Sequence, residues 1–302
     1  MRKEIAEEVT CAIGGLDGAR LMAETNPATN GLPRHDNFPA SQLPSHRGKR
    51  RNCQWTDAAL NWHRVKNKRF SQVIAQGIEF QARLPSLALV AVGGTAAAIH
   101  CGHRISFDVD CVSPHLSERF DQVAETLENW PGWKTNRQQK PLIILGERQE
   151  VELGIRQLRR AVPLQITQVR ALRVPTPREA LRIKAFLCVE RRAVRDFVDV
   201  AALSHLLGEE AALAALKYLN LLYPSATGQT RITRFAEVCE MEPLDLATVR
   251  LSDYKGLQAP WNQWPAVQAQ SQRLARRLLQ LELNRQLPSA LDDGFYEPAP
   301  SR

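Results

Sequence analysis

No run of about 18 apolar residues occurs in the chain, so a helical membrane span is not expected. The first 25 residues lack the basic, apolar and small-residue segments of a secretory leader and carry scattered acids instead, so a cytoplasmic protein is expected. The six cysteines, at positions 11, 53, 101, 111, 188 and 239, form no C-x-x-C pair and no regular framework, and are expected to be free, buried thiols. No P-loop, G-x-G-x-x-G fingerprint or serine-hydrolase elbow is present, and there is no internal repeat. Acids are scarce between residues 154 and 195: Glu179 and Glu190 stand against eleven Arg and Lys. That local excess is larger than the net charge of +8 carried by all 302 residues, and it marks a band suited to a polyanion such as nucleotide phosphates or RNA.

The chain is long enough to bury a sizeable core as one large domain or two smaller ones. Residues 1–56 hold Pro27, Pro33, Pro39 and Pro44 among polar residues and include the basic cluster His46-Arg47-Gly48-Lys49-Arg50-Arg51. They are expected to form a poorly ordered arm, with the cluster available to nucleic acid. From Asp57 to Ala82 apolar positions recur at helical spacing.

The most informative stretch is residues 87–112, LALVAVGGTAAAIHCGHRISFDVDCV. An apolar strand runs into Gly93-Gly94-Thr95, a short helix follows, and then Ser106-Phe107-Asp108-Val109-Asp110 reads as a second strand. Alternation on that strand turns Ser106, Asp108 and Asp110 one way and Phe107, Val109 and Cys111 the other. Converging carboxylates repel unless a hard cation lies between them, and Mg2+ in such a place usually arrives with substrate phosphates. The glycines offer bare backbone N–H groups at a helix N-terminus, where a triphosphate can lie. Together these parts point to nucleotide chemistry.

On Gly93, Gly94, Thr95, Arg104, Ser106, Asp108 and Asp110 the stretch resembles the polymerase-beta-like nucleotidyltransferase superfamily, and within it the AbiEii/MenT toxin family. The segment TPREALRIKAFLCVERRAVRDFVDVAAL resembles the second half of the AbiEii-type site, in which a helix lysine and a later Arg-Asp-aromatic-x-Asp run complete the centre. The resemblance covers roughly residues 87–203. It implies an α/β (α+β) fold with a mixed-sheet nucleotidyltransferase core, residues 57–175, followed by an α-helical domain, residues 176–290, and a tail, 291–302. It also implies Mg2+ as cofactor, NTP as donor, a tRNA acceptor and an antitoxin partner. Within that reading Asp108 and Asp110 hold metal, Gly93, Gly94, Thr95 and Ser106 cradle the triphosphate, Lys184 touches its phosphates, and Asp196 acts in or beside the catalytic centre.

A third carboxylate is expected on a neighbouring strand, since a two-metal site needs shared acidic ligands. Residues 149–153 read as that strand, with Glu150 and Glu152 on one face; Glu152 is preferred, in a place where the family usually has Asp. Further strands are expected at 142–145, turning around Gly146 toward 149–153, and at 164–169, and a helix at 116–130. Thr176-Pro177-Arg178-Glu179 is a capping box opening a helix that carries Lys184. If that helix ran on unbroken, Lys184, Arg191, Arg195 and Asp199 would share a side and Asp196 would turn away; a break near Glu190 would free Asp196 to approach the site. Asp199 is expected to pair with Arg195 or another nearby arginine.

After Leu203 the pattern is helical, ending in a helix at 264–286, with Trp261 and Trp264 as packing anchors. His100, Cys101, His103, Cys111 and His115 cluster around the acidic strand, but Cys111 faces away from the aspartates, so zinc is set aside. His103 is placed near the mouth of the site. Two rival functions are a nucleotidyltransferase acting on a small hydroxylated molecule and a non-catalytic nucleotide- or RNA-binding module.

Overall fold

The computed structural model describes residues 67–225 and 228–296. The expected arm, its basic cluster, the stretch 57–66 and the end of the tail lie outside the described residues.

The first helix, α1 (Lys68–Arg83), starts where the Asn67 side chain accepts hydrogen bonds from the backbone N–H groups of Arg69 and Phe70. Phe70, Val73, Ile74, Gly77 and Phe80 make its buried stripe. Then come β1 (Val90–Ala91), α2 (Gly93–Cys101), β2 (Asp108–Ser113), α3 (Leu116–Glu128), β3 (Trp133–Gln139), β4 (Ile143–Arg148) and β5 (Val151–Gln157). These strands form a five-stranded mixed sheet in the order β1-β2-β5-β4-β3, parallel only between β2 and β5. A separate hairpin, β6 (Ile166–Val169) with β7 (Leu172–Pro175), leads into the helical half.

That half consists of α4 (Pro177–Arg191), α5 (Val194–Leu207), α6 (Glu209–Leu216), α7 (Leu219–Leu222), α8 (Arg231–Glu240) and α9 (Trp264–Leu283). Among the described residues two large apolar cores result, with a small third cluster of Tyr218, Leu222 and Phe295. One lies between the sheet, α1, α2 and α3; the other joins the helices and draws in Val90, Val92, Ala97 and Val112 from the sheet side. The edge pair β1–β2 and α2 therefore belong to both. Trp261 packs edge-on to His205 and Trp264 edge-on to Phe197.

The fold is the expected α/β arrangement with a mixed sheet, but several boundaries differ. The opening strand shrinks to Val90–Ala91, because Pro85–Leu87 makes a 3-10 turn closed by Ala88 in the left-handed region. The strand placed at 149–153 begins two residues later. Gln149 and Glu150 both have positive φ, 50° and 61°, and form the tight turn between β4 and β5. Gly146, which reads as a turn residue, lies inside β4, where an added Cβ would stand 2.3 Å from the Trp133 ring. Strands β3 and β7 are additional to the expected ones; β3 is an edge strand whose half-buried and exposed positions alternate, but apart from Trp133 all its residues are polar, so no apolar alternation marks it.

The junction of α4 and α5 resolves the open alternative in favour of a break. Arg192 takes the left-handed conformation (φ 47°) and Ala193 is extended, so a new helix starts at Val194. Residues from beyond α8 hold the break: Leu244 N–H donates to Arg192 O, and Asp245 Oδ1 accepts from Val194 N–H at 2.8 Å. At the start of α4 only half of the capping box forms. Thr176 accepts from Glu179 N–H, but the Glu179 carboxylate goes instead to Arg160 and Arg182.

Candidate active site

Strand β2 alternates as expected: Val109 and Cys111 are fully buried in the sheet core, while Asp108 and Asp110 on the other face are half-buried. Strand β5 lies parallel beside it with Asp108 opposite Glu152 and Asp110 opposite Gly154. Side chains at paired positions of neighbouring strands share a face, so Glu152 joins the aspartates. A Cβ at Gly154 would come 2.9 Å from Asp110 Oδ1, so the glycine makes room for that carboxylate. Arg156 Nη2 is 3.6 Å from the same oxygen. Glu150 precedes β5 and also borders the cleft. It sits in the turn, 85% exposed, with its carboxylate 3.2 Å from Arg69 Nη1.

The glycine turn stands against the acids. Gly93 (φ 69°) opens α2, and a Cβ there would lie 3.7 Å from Asp110 Oδ2. Gly94 is covered by Arg104: a Cβ would meet its Nη2 at 2.4 Å and Ser106 Oγ at 3.1 Å. Ser106 precedes the strand but keeps to its acidic side, donating to Asp108 Oδ1 at 2.7 Å. Thr95 is buried and donates to the Asp108 backbone carbonyl, so it holds the strand rather than lining the cleft. Because Asp199 pins Arg104, Gly94→Ala has no soft neighbour to push aside. It is expected to lower stability by about 1–3 kcal/mol, read as a shift of the denaturation midpoint at unchanged slope.

Beneath this floor lies a buried ionic layer. Asp199, wholly buried, receives Arg104 through Nε and Nη2 at 2.8 and 2.9 Å, His103 Nε2 at 2.8 Å and Lys184 Nζ at 2.7 Å. Asp196, equally buried, receives Lys184 Nζ at 2.8 Å and Arg191 Nε at 2.6 Å. Burial alone would raise both carboxyls. Arg104 and Lys184 instead hold Asp199 well below the usual carboxylate range, and Arg191 and Lys184 hold Asp196 below it. Burial pushes His103 down against the pull of Asp199. Burial opposes the charge of Arg104 as well, yet Asp199 raises its pKa, so the guanidinium stays charged.

These contacts correct the expectations for Asp199 and His103 and place Asp196 beside the cleft. Asp199 pairs with Arg104, His103 and Lys184 rather than Arg195. Asp196 meets Arg191 and Lys184 beside the cleft without lining it. His103 is 2% exposed and belongs to the ionic layer, not to the mouth. Lys184 borders the cleft but gives its ammonium to two carboxylates. The basic band of the sequence is likewise not one surface. Arg160 and Arg182 are buried around Glu179, and Lys184 is buried between its aspartates.

The cleft encloses about 470 Å3 and brings Gly93, Gly94, Ser106, Asp108, Asp110, Glu152 and Lys184 together. Residues of its rim escaped the sequence reading. The segment after the 3-10 turn Leu251–Asp253 crosses from the helical half and pairs with the loop before β2: Ile105 N–H donates to Lys255 O, and Gln258 N–H to His103 O. It delivers Asp253, Tyr254 and Lys255 to the rim, with Arg195 and Arg69 nearby. Burial pushes the Tyr254 phenol up to about 12, so it remains neutral. Arg195 and Lys255 are exposed and make no ion pair among the described residues.

Among the described residues no three His, Cys, Asp or Glu side chains are grouped so as to hold a metal ion by themselves. The donor set is instead a pair of half-buried carboxylates facing a cleft with cations on its rim. That fits Mg2+, which is commonly bound through one or two carboxylates with substrate phosphates and water completing its shell.

No protein-family model matches the chain, and neither does any curated protein. Among solved structures it is similar to JHP933 from Helicobacter pylori, with TM-score 0.44 and 14% identity over 73% of this chain and 97% of that one. It is also similar to a candidate nucleotidyltransferase from H. pylori, with TM-score 0.42 and 15% identity over 74% of this chain and 97% of that one. No helix among the described residues is long and apolar enough to cross a membrane.

Proposed function

We propose that the cleft transfers a nucleotide from an NTP to an acceptor hydroxyl. The observation that carries this reading is the placement of Asp108 and Asp110 on one strand face, beside Glu152 and against the Gly93-Gly94 turn, in a cleft with free cations on its rim. Asp108 and Asp110 would hold Mg2+, which when bound offsets phosphate charge and polarises the phosphorus under attack.

The chain's own residues do the rest. Backbone N–H groups at the start of α2 hold the triphosphate, with the helix dipole favouring its charge, while the Ser106 hydroxyl orients the Asp108 carboxylate. Glu152, exposed at the acidic edge, takes the proton of the attacking hydroxyl. A bond forms between the acceptor oxygen and the alpha-phosphorus, the bond to the bridging oxygen breaks, and pyrophosphate leaves. Arg195 and Lys255 meet the charge that leaves with it. Lys184, held by two aspartates, serves by fixing the ionic layer under the phosphates rather than by gripping them.

The resemblance extends the proposal to tRNA as acceptor and to a toxin held in check by an antitoxin. The test is transfer of label from each alpha-labelled NTP onto total tRNA with Mg2+, comparing wild type with Asp108→Ala plus Asp110→Ala. Label on tRNA with the wild type alone, and growth arrest on its expression alone, are the expected results. Label that fails to reach tRNA would remove that acceptor and turn the search to small hydroxylated molecules.

A further inference from the structure

Six large apolar or aromatic side chains stand exposed among the described residues: Phe107, Ile166, Met241, Leu244, Leu283 and Tyr296. Of these, Phe107 alone lines the cleft; it precedes β2, so the strand alternation expected to turn it away with Val109 and Cys111 does not hold at this position. It lies between Ser106 and Asp108, at 37% exposure, in the extended segment just before β2. One face of the ring is approached by Lys255, whose Nζ is 5.5 Å from the ring centroid. The ring is partly covered and belongs to neither apolar core, so packing in the interior does not account for its place. Its place beside the carboxylates asks for a flat ligand.

We propose that Phe107 is a stacking platform for a nucleobase, with Lys255 and Arg195 meeting the phosphates of the same nucleotide. The inference rests on the nucleotide reading of the cleft and names the part of the ligand that the acids and glycines do not address. Every nucleobase has a flat π-face, so one phenyl ring accepts any of them. A cation over an exposed ring is a weaker contact than a stacked base, so a base can displace the Lys255 ammonium from the ring face. The lysine stem is exposed and free to swing while its charge stays in the cleft. The cleft volume of about 470 Å3 lies in the range of small-ligand sites. The base comes either from the donor NTP or from the end of an acceptor strand, and the chemistry of recognition is the same.

Titrations with three probes separate the sources: inorganic tripolyphosphate, each nucleoside triphosphate, and a short single-stranded oligoribonucleotide. They are run on wild type, Phe107→Ala and Phe107→Trp, with circular dichroism to confirm the fold. Phe107→Ala is expected to weaken a base-carrying probe about tenfold, leave tripolyphosphate unchanged, and be rescued by Phe107→Trp. Loss confined to the triphosphates assigns the platform to the donor; loss confined to the oligonucleotide assigns it to the acceptor. Unchanged affinity for both base-carrying probes would overturn the inference, and so would an equal loss that includes tripolyphosphate. A wild-type protein that binds neither tripolyphosphate nor nucleotide would instead overturn the nucleotide reading of the cleft.

Discussion

Asp199→Ala is expected to lower the stability of the fold by about 3–5 kcal/mol. The carboxylate is wholly buried and compensates three donors, Arg104, Lys184 and His103. Lys184 keeps Asp196, but Arg104 loses its bidentate partner while 7% exposed, and a buried charge without its partner is costly. Chemical denaturation with the midpoint read at constant slope is the check. Lys140→Ala, which removes only the exposed pair with Asp121, should leave the midpoint in place. Equal midpoints for the two variants would sink the idea that Asp199 compensates buried charge.

The same layer sets the acid response. The native values of Asp196 and Asp199 lie below the ordinary carboxylate value of about 3.9, so the unfolded chain binds more protons as acid passes that value. Their contribution is complete above about pH 5 and is lost as the pH falls toward the native values. His103, depressed by burial, adds a loss that begins as the pH drops through about 6.5. Asp199→Ala should therefore flatten the acid limb of a stability profile as well as lower its plateau.

Asp110→Asn is expected to slow nucleotide transfer by about a hundred- to a thousandfold with the fold unchanged. The replacement is nearly isosteric, and the pocket made by Gly93 and Gly154 accepts its shape. What is removed is one of the two aspartate charges that would hold the metal. Glu152→Gln should cost less, because Glu152 is exposed and water can take the proton in its stead. The measurement is the rate with an alpha-labelled NTP across a Mg2+ titration. Transfer at the wild-type rate by Asp110→Asn would exclude a metal-holding role for that residue.

The acid pair and glycine turn were legible because each depends on short-range rules: alternation along a strand and the placing of Gly-Gly before a helix. Glu152 was legible as a neighbour, but its strand was set two residues early. Gly146 looked like a turn, when it is a strand position vacated for the Trp133 ring. The partners of Asp199 were not legible. Arg104 and Lys184 reach it from α2's trailing loop and from α4, and the break at Arg192 that turns it toward them is held by residues 244 and 245. Tyr254 and Lys255 carry no local signal at all, since a loop that completes a cleft some 150 positions away in sequence looks like any other loop.

That loop has a consequence for vectorial synthesis. A nascent chain whose last emerged residue is Arg250 already has both aspartates, the glycine turn and Asp199, but lacks Lys255 and the backbone clasp on Ile105. This part of the rim therefore leaves the ribosome tunnel after the acidic face and the glycine turn, and a product terminated at Arg250 would carry the acids without Tyr254 and Lys255 beside them.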